Sequence, residues 1–317
     1  MPFAILQLLI LAALSIASLF VGVIDLSLFD ILNFSDSQLE VLFLSRFPRL
    51  LSILVAGSSL AVSGLIMQRI MQNKFISPTT SGTMQWCKLG VMVAIVFMPG
   101  AHQLLRFAGA LLVSLLGSFL FLAIANKVRS RNIVLVPLIG IMLGGVVDAG
   151  ATFFAYKYDI IQNMASWLQG NFSLVAAGNY ELLYLSVPLM LIAYFYADYF
   201  TLAAMGKETS SALGLNHRLI VNFGIVIVSA VSSISVVGVG NIPFVGLIVP
   251  NVLAIFKGDG VKNILWDCAW LGAILVLVCD IFGRLIIFPY EVPIGVILSV
   301  IGSFTFLILI RRGRRHA

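Results

Sequence analysis

Charge is scarce in this chain. Only 10% of its 317 residues are Asp, Glu, Lys or Arg, where about 25% is usual in a soluble domain. That shortage, with an apolar fraction of 61% and a mean hydropathy of +1.09, excludes a soluble globular enzyme, because a chain this long has too little interior to hide so much apolar surface. It excludes disorder as well, which needs high charge and low hydrophobicity. The solvent for most of the chain is lipid. Cysteine is nearly absent: Cys87, Cys268 and Cys279 are odd in number and show no C-x-x-C spacing, which argues against a disulfide framework or a zinc site and for small apolar packing residues. No G-x-x-x-x-G-K-[ST] phosphate loop and no H-E-x-x-H occurs, so neither ATP hydrolysis nor zinc-peptidase chemistry is written into the chain. His102, His217 and His316 are scattered, and no nucleophile–base pair can be argued, so no catalytic residue is assigned. The first apolar run, Phe3–Val23, has no Lys or Arg before it, unlike a secretory signal, and is read as a retained span.

What is present is long apolar runs. A spanning helix takes about 20 residues. Runs broken by polar residues, Gly and Pro give ten expected helices: Phe3–Val23, Arg49–Met71, Gly82–Met98, Leu104–Asn126, Val134–Phe154, Leu182–Met205, Leu219–Gly238, Phe244–Phe256, Ile264–Ile287 and Ile294–Ile310. The eighth is short for a full span and is expected to be partial, tilted or shielded by its neighbours. The fold class is therefore all-α, a polytopic membrane protein of one domain over residues 1–317. The net charge of +6 reports orientation before it reports a nucleic-acid partner. With both termini cytoplasmic, the inner loops, the tail and Lys88 hold 14 of the 19 Lys and Arg. The outer side holds Arg46, Arg49, Arg106, Lys157 and Arg284, while Asp25, Asp30, Asp36, Glu40, Asp159, Glu181 and Glu291 also fall outside.

Five features could carry function. Arg46-Phe47-Pro48-Arg49 opens the second span against the charge bias; its arginines either snorkel to head groups or offer guanidinium forks to external carboxylates. The inner stretch 205–218 reads as a short helix over Lys207–Leu213 with Gly214 as its stop and Ala212, Leu213 and Leu215 as an apolar face, either a connector or a lever for a soluble partner. Gly238–Asn251 is broken by Gly and Pro, which suits a re-entrant turn or a gate-adjacent segment. Small residues line the second helix (Gly57, Ser58, Ser59, Ala61, Ser63, Gly64) and the fifth (Gly140, Gly144, Gly145, Ala149, Gly150), permitting close helix contact or leaving a smooth path for a bulky solute. Finally, Asp148 and Asp280 are intramembrane acids. Asp280 can pair with Arg284 at i,i+4, whereas Asp148 has no local partner.

At these same segments the sequence resembles the iron-siderophore and vitamin B12 permease family of ABC importers, over nearly the whole chain. The resemblance rests on Arg46-Phe-Pro-Arg49, on Gly57–Gln68, on Phe244-Val-Gly-Leu-Ile-Val-Pro250, and on Asp280-Ile-Phe-Gly-Arg284 followed by Glu291-Val-Pro-Ile-Gly295. It implies a type II ABC importer architecture of ten helices per subunit, a second permease subunit, two cytoplasmic ATPases that carry the ATP, and an extracytoplasmic binding protein; this chain would be no enzyme and hold no cofactor or metal of its own. Transferred position by position, Arg46, Arg49 and Arg284 would receive acidic residues of the binding protein. Lys207, Glu208, Ser211, Ala212, Leu213, Gly214 and Leu215 would couple to the ATPase. The helix carrying Gly140, Gly144, Gly145 and Asp148 would line the path, and the loops Asn73–Gly82, with Ser77, Pro78 and Thr79, and Lys127–Pro137 would form the inner gate. The chain departs from the family pattern at Asn251 and Ala254, where many members have His and Arg. Ser77–Met84, Tyr156–Asp159 and Ser166–Gly170 are similar to the branch serving catecholate ferric siderophores such as petrobactin or vibriobactin, in which two different permease chains usually pair. The expected function is inward passage of a ferric siderophore across the bacterial cytoplasmic membrane. The alternative is an ion-coupled secondary transporter with Asp148 or Asp280 as its proton site.

Overall fold

A computed structural model describes residues 2–22, 36–98, 100, 102–128, 134–173, 175, 180–257 and 260–313. The expectations for Asp25, Asp30, Arg129, Arg131, Arg314, Arg315, His316 and the middle of the Lys127–Pro137 loop, residues 129–133, lie outside those residues.

The described chain is helical, with α1 (Pro2–Phe20), α2 (Asp36–Val41), α3 (Phe47–Ile70), α4 (Thr83–Phe97), α5 (Gln103–Lys127), α6 (Leu135–Lys157), α7 (Ile161–Leu168), α8 (Ser186–Phe195), α9 (Ala197–Ala203), α10 (Lys207–Ala212), α11 (His217–Val239), α12 (Val245–Lys257), α13 (Val261–Leu285) and α14 (Ile294–Gly313). Among the described residues six helices are long and apolar enough to cross a membrane; the bent pair formed by Glu181–Phe195 and Ala197–Ala203 makes a seventh if it is one span, and Thr83–Phe97, Val245–Lys257 and Ile294–Ile308 are shorter apolar helices. Every expected span thus has a counterpart, but two differ in shape. The sixth, expected to run unbroken over Leu182–Met205, bends by 61° at Tyr196, whose ring packs on Phe223 at 4.6 Å; just beyond the bend Asp198 is drawn to Lys262 at 2.8 Å. The second, expected to start at Arg49, continues a helical rod that begins at Asp36, joined by a π-helical turn over Leu42–Arg46. The wider turn suits Pro48, which lacks an N–H and would crowd the carbonyl four residues before it.

The core forms around α3, which packs against α11, α12 and α13. Lipid gives helices no hydrophobic reason to associate, so close fit must do it. The stripe on α3 supplies that fit. A methyl on Gly64 would overlap the carbonyl of Gly246 in α12, and one on Gly57 would approach the carbonyl of Gly272 in α13 to 2.8 Å. The stripe on α6 divides in use. Gly140 and Gly144 press on Thr80 and Gln85, while Gly145 and Gly150 face open space. On α3 the small residues serve contact, and on α6 they serve both contact and openness.

A ladder of buried hydroxyls ties α4, α5 and α11 together. Ser81 Oγ meets Thr83 Oγ1 at 2.9 Å, Thr83 meets Ser118 at 3.0 Å, and Ser229 donates to Ser118 at 3.1 Å. About one turn on, Ser114 meets Ser233 at 3.1 Å, and Ser233 meets the Cys87 thiol at 3.4 Å. All three cysteines are free and buried.

Candidate functional site

Four groups of residues stand out, two at the ends of the bundle and two within it. At the end where α1 and α13 finish, Asp280 is the hub of a charge cluster. Arg49 donates to Asp280 Oδ1 from Nη2 at 2.8 Å and from Nε at 3.2 Å, and its Nη1 reaches Glu291 at 2.9 Å. Arg284 pairs with the other Asp280 oxygen at 2.6 Å, the expected i,i+4 contact. Arg284 Nη1 also donates to the Ser18 and Val21 carbonyls at 2.9 and 2.8 Å, and Arg46 Nη1 donates to the Leu19 carbonyl at 2.6 Å. Two arginines therefore cap the C-terminus of α1, where helix carbonyls lack intrahelical partners and the dipole is negative. Asp280 is 3% exposed, Arg284 5% and Arg49 13%, so Arg49, with Glu291, forms the outer rim of the cluster.

At the opposite end, α10 stands out from the bundle. Lys207, Glu208, Ser211, Ala212, Leu213 and Gly214 are exposed and Leu215 is half-buried. The helix stops as its sequence directs. Gly214 adopts φ +80°, its N–H donates to Ser211 and the Leu215 N–H to Ser210, both at 3.0 Å, the paired bonds of a left-handed glycine stop. The one buried side chain of α10, Ser210, locks it down by donating to the Gly206 carbonyl at 2.7 Å and meeting His217 Nδ1 at 3.0 Å. Asn216 accepts from the Leu219 N–H at 3.2 Å and caps α11. The result is a rigid knob presenting Leu213, which is 61% exposed.

Between the ends, the loop from Met71 to Gly82 is tightly built. The Ser77 N–H donates to Thr80 Oγ1 at 2.8 Å, and Ser77 Oγ meets Thr79 Oγ1 at 2.9 Å. Ser77 and Pro78 are buried and Thr79 half-buried. The loop interlocks with α6, since a methyl on Gly140 would overlap the Thr80 carbonyl and one on Gly82 would lie 3.3 Å from the backbone of Gly144. Gly144 is nine residues into α6, so the loop reaches about 13 Å along it at 1.5 Å per residue. Asn251, where the family pattern has His, clamps this loop: its Nδ2 donates to the Lys74 carbonyl at 2.8 Å and to Leu247 at 2.7 Å. Ala254 leaves a cavity of about 160 Å³ beside Gln72 and Lys74. A larger cavity, about 940 Å³, opens between the ends of α3 and α5 and the starts of α6, α10 and α11, with Lys207, His217 and Arg218 on its wall.

The fourth group answers a question that local spacing left open. Asp148 has its partner across the helix interface: Lys88 Nζ donates to Asp148 Oδ1 at 2.6 Å. The two residues lie 60 positions apart, so no local spacing announces the pair; the only signal was that each is a lone ionisable residue in an apolar run. Among the described residues, no group of three or more His, Cys, Asp or Glu is placed to hold a metal ion.

The chain and its fold have counterparts among known proteins. Over 308 residues, 97% of this chain and 98% of the relative, it is 49% identical to the petrobactin import system permease protein YclN of Bacillus subtilis. It is 38% identical over 298 residues, 94% and 95% of the two chains, to the ferric-anguibactin transport system permease protein FatD of Vibrio anguillarum. Its fold superposes with a TM-score of 0.83, over 98% of each chain at 24% identity, on an inward-facing transporter assigned to the metal-chelate ABC type. The model of the FecCD transport family matches residues 9–312, and the chain belongs to that family.

Proposed function

We propose that this chain is the permease subunit of an ABC importer that carries a ferric siderophore across the bacterial cytoplasmic membrane, with both termini cytoplasmic. The match to the family over residues 9–312 carries this reading, and the names of the two relatives direct it to siderophores; the catecholate class is the cargo proposed from the sequence resemblance. Its partners are a second, different permease chain, two ATPase subunits that bind ATP, and an extracytoplasmic siderophore-binding protein. The whole of residues 1–317 acts as one transmembrane domain.

This reading assigns the ATPase and the binding protein to opposite ends of the bundle. The ATPase receives α10 and its turn in a groove, with Leu213 seated in an apolar pocket; the Ser210 and Asn216 bonds keep the knob rigid enough to transmit ATPase motion. The binding protein sets its acidic residues above Arg46, Arg49 and Arg284. Three guanidiniums against the carboxylates of Asp280 and Glu291 leave the cluster with a net positive charge, and Arg49 at the rim is placed to exchange Glu291 for an incoming carboxylate. The α6 face bearing Gly145 and Asp148 lines the path, and the Ser77–Thr79 loop closes its inner end. Against the ion-coupled reading stands the pairing of both candidate proton sites, Asp148 with Lys88 and Asp280 with Arg49 and Arg284, so each carboxylate already has a cationic partner.

The test is growth of a strain lacking this chain on defined ferric siderophores as sole iron source. Loss of growth on a catecholate chelate, restored by the gene, supports the reading. Unchanged growth on every ferric siderophore overturns it.

A further inference from the structure

Resting on that function, we propose that Lys88 is an anion-receiving residue of the translocation path, held in reserve by Asp148 and handed to an anionic ferric chelate as it passes. Three observations combine. First, the pair sits deep: Asp148 lies thirteen residues into α6, about 20 Å from its cytoplasmic start at 1.5 Å per residue, level with the middle of the bundle. Second, it is not sealed off. The side chains of Lys88 and Asp148 are 23% and 43% exposed, and they face a cavity of about 390 Å³ whose wall also carries Thr152 and Gln169. A charged pair this exposed at mid-membrane cannot face hydrocarbon, so this surface faces water or a second protein chain. Third, the ammonium has unused capacity. A lysine carries three N–H donors, and among the described residues Lys88 spends them on one acceptor, Asp148.

The chemistry follows. Ferric catecholate and carboxylate chelates are anions, and an anion crossing a low-dielectric passage meets a desolvation barrier that a fixed cation lowers. A permanently bare lysine would bind the cargo and slow its release. Pairing with Asp148 gives the site no net charge at rest, so the anion is received by exchange and released when the aspartate returns.

The experiment uses the complete complex, with both permease chains and the ATPases, in proteoliposomes supplied with binding protein and a ferric tricatecholate. It measures cargo moved per ATP hydrolysed. Lys88→Gln should lower that ratio about tenfold or more, the scale of a lost charge-assisted contact, and Lys88→Arg should recover it. The charge swap Lys88→Asp with Asp148→Lys rebuilds the pair but moves the cation to the other helix, and it should not restore transport. A swap that transports like wild type, or a Lys88→Gln complex with an unchanged ratio, overturns the proposal and leaves a structural ion pair. If Lys88→Gln fails to assemble, Lys88→Gln with Asp148→Asn, which leaves no unpaired carboxylate, takes its place under the same criteria. A wild-type complex that carries no ferric chelate would instead overturn the function itself.

Discussion

Replacing Asp280 by Asn keeps the shape of the hub and removes its charge. Asp280 faces two guanidiniums while 3% exposed. Breaking a buried ion pair by removing one partner costs about 3–5 kcal/mol, mainly because the remaining charge is stranded. Here neither arginine is wholly stranded. Arg49 keeps Glu291 at 2.9 Å, and Arg284 keeps the Ser18 and Val21 carbonyls. The loss therefore belongs at the low end, about 3 kcal/mol. At roughly 2 °C per kcal/mol for a large domain, the midpoint of thermal unfolding falls on the order of 6 °C. The chain supplies its own reporter, because Cys87, Cys268 and Cys279 are free and buried; a thiol-reactive fluorogenic dye lights up only as the bundle opens. Glu291→Gln is the matched comparison. That carboxylate is 28% exposed, so its pair is worth at most about 1 kcal/mol, a shift of about 2 °C or less. A midpoint for Asp280→Asn within 1 °C of wild type (~1 °C being under 1 kcal/mol), or a larger shift from Glu291→Gln, would refute the reasoning that burial decides the worth of these contacts.

Other outcomes follow from the same geometry. Gly64→Ala forces a methyl into the Gly246 carbonyl and should cost about 1–3 kcal/mol or more, read as a loss of monodisperse protein in size-exclusion chromatography; Gly145→Ala, with open space around it, should elute like wild type. Leu213→Asp should abolish co-purification with the ATPase while leaving the thermal midpoint of the isolated chain unchanged, since the side chain touches solvent. Asn251→Ala deletes two hydrogen bonds on the Lys74 and Leu247 carbonyls, so amide exchange across residues 74–80 should quicken. Ser229→Ala removes one rung of the hydroxyl ladder, and at about 0.6 kcal/mol it should lower the midpoint by only 1–2 °C (~2 °C per kcal/mol).

How much of this was legible in sequence depended on distance along the chain. The spans were legible because an apolar run of spanning length has one use in lipid, and the Gly214 stop and the Asp280–Arg284 pair were legible because their partners lie within a turn or two. The bend at Tyr196 was not; the contacts that flank it, with Phe223 and Lys262, come from other helices. The small-residue stripes were read as contact or path, and only the neighbours decide: Gly64 meets Gly246 across the bundle, while Gly145 meets nothing. Lys88 shows the limit most clearly. Counted as one more basic residue leaning inward, it proved to be the partner that Asp148 lacked. Arg46 and Arg49 were read as snorkelling side chains or as forks for external carboxylates, and Arg284 as the partner of Asp280; packing also turns Arg46 and Arg284 inward to cap α1, which no local pattern encodes.

The most direct test of the central claim is the energy source for uptake. The chain, reconstituted with its second permease, ATPases and binding protein, should accumulate ferric siderophore in proteoliposomes only when ATP reaches the ATPases, and a proton gradient alone should drive nothing. Accumulation driven by a proton gradient, with the chain alone in the membrane and no ATPase present, would contradict the account.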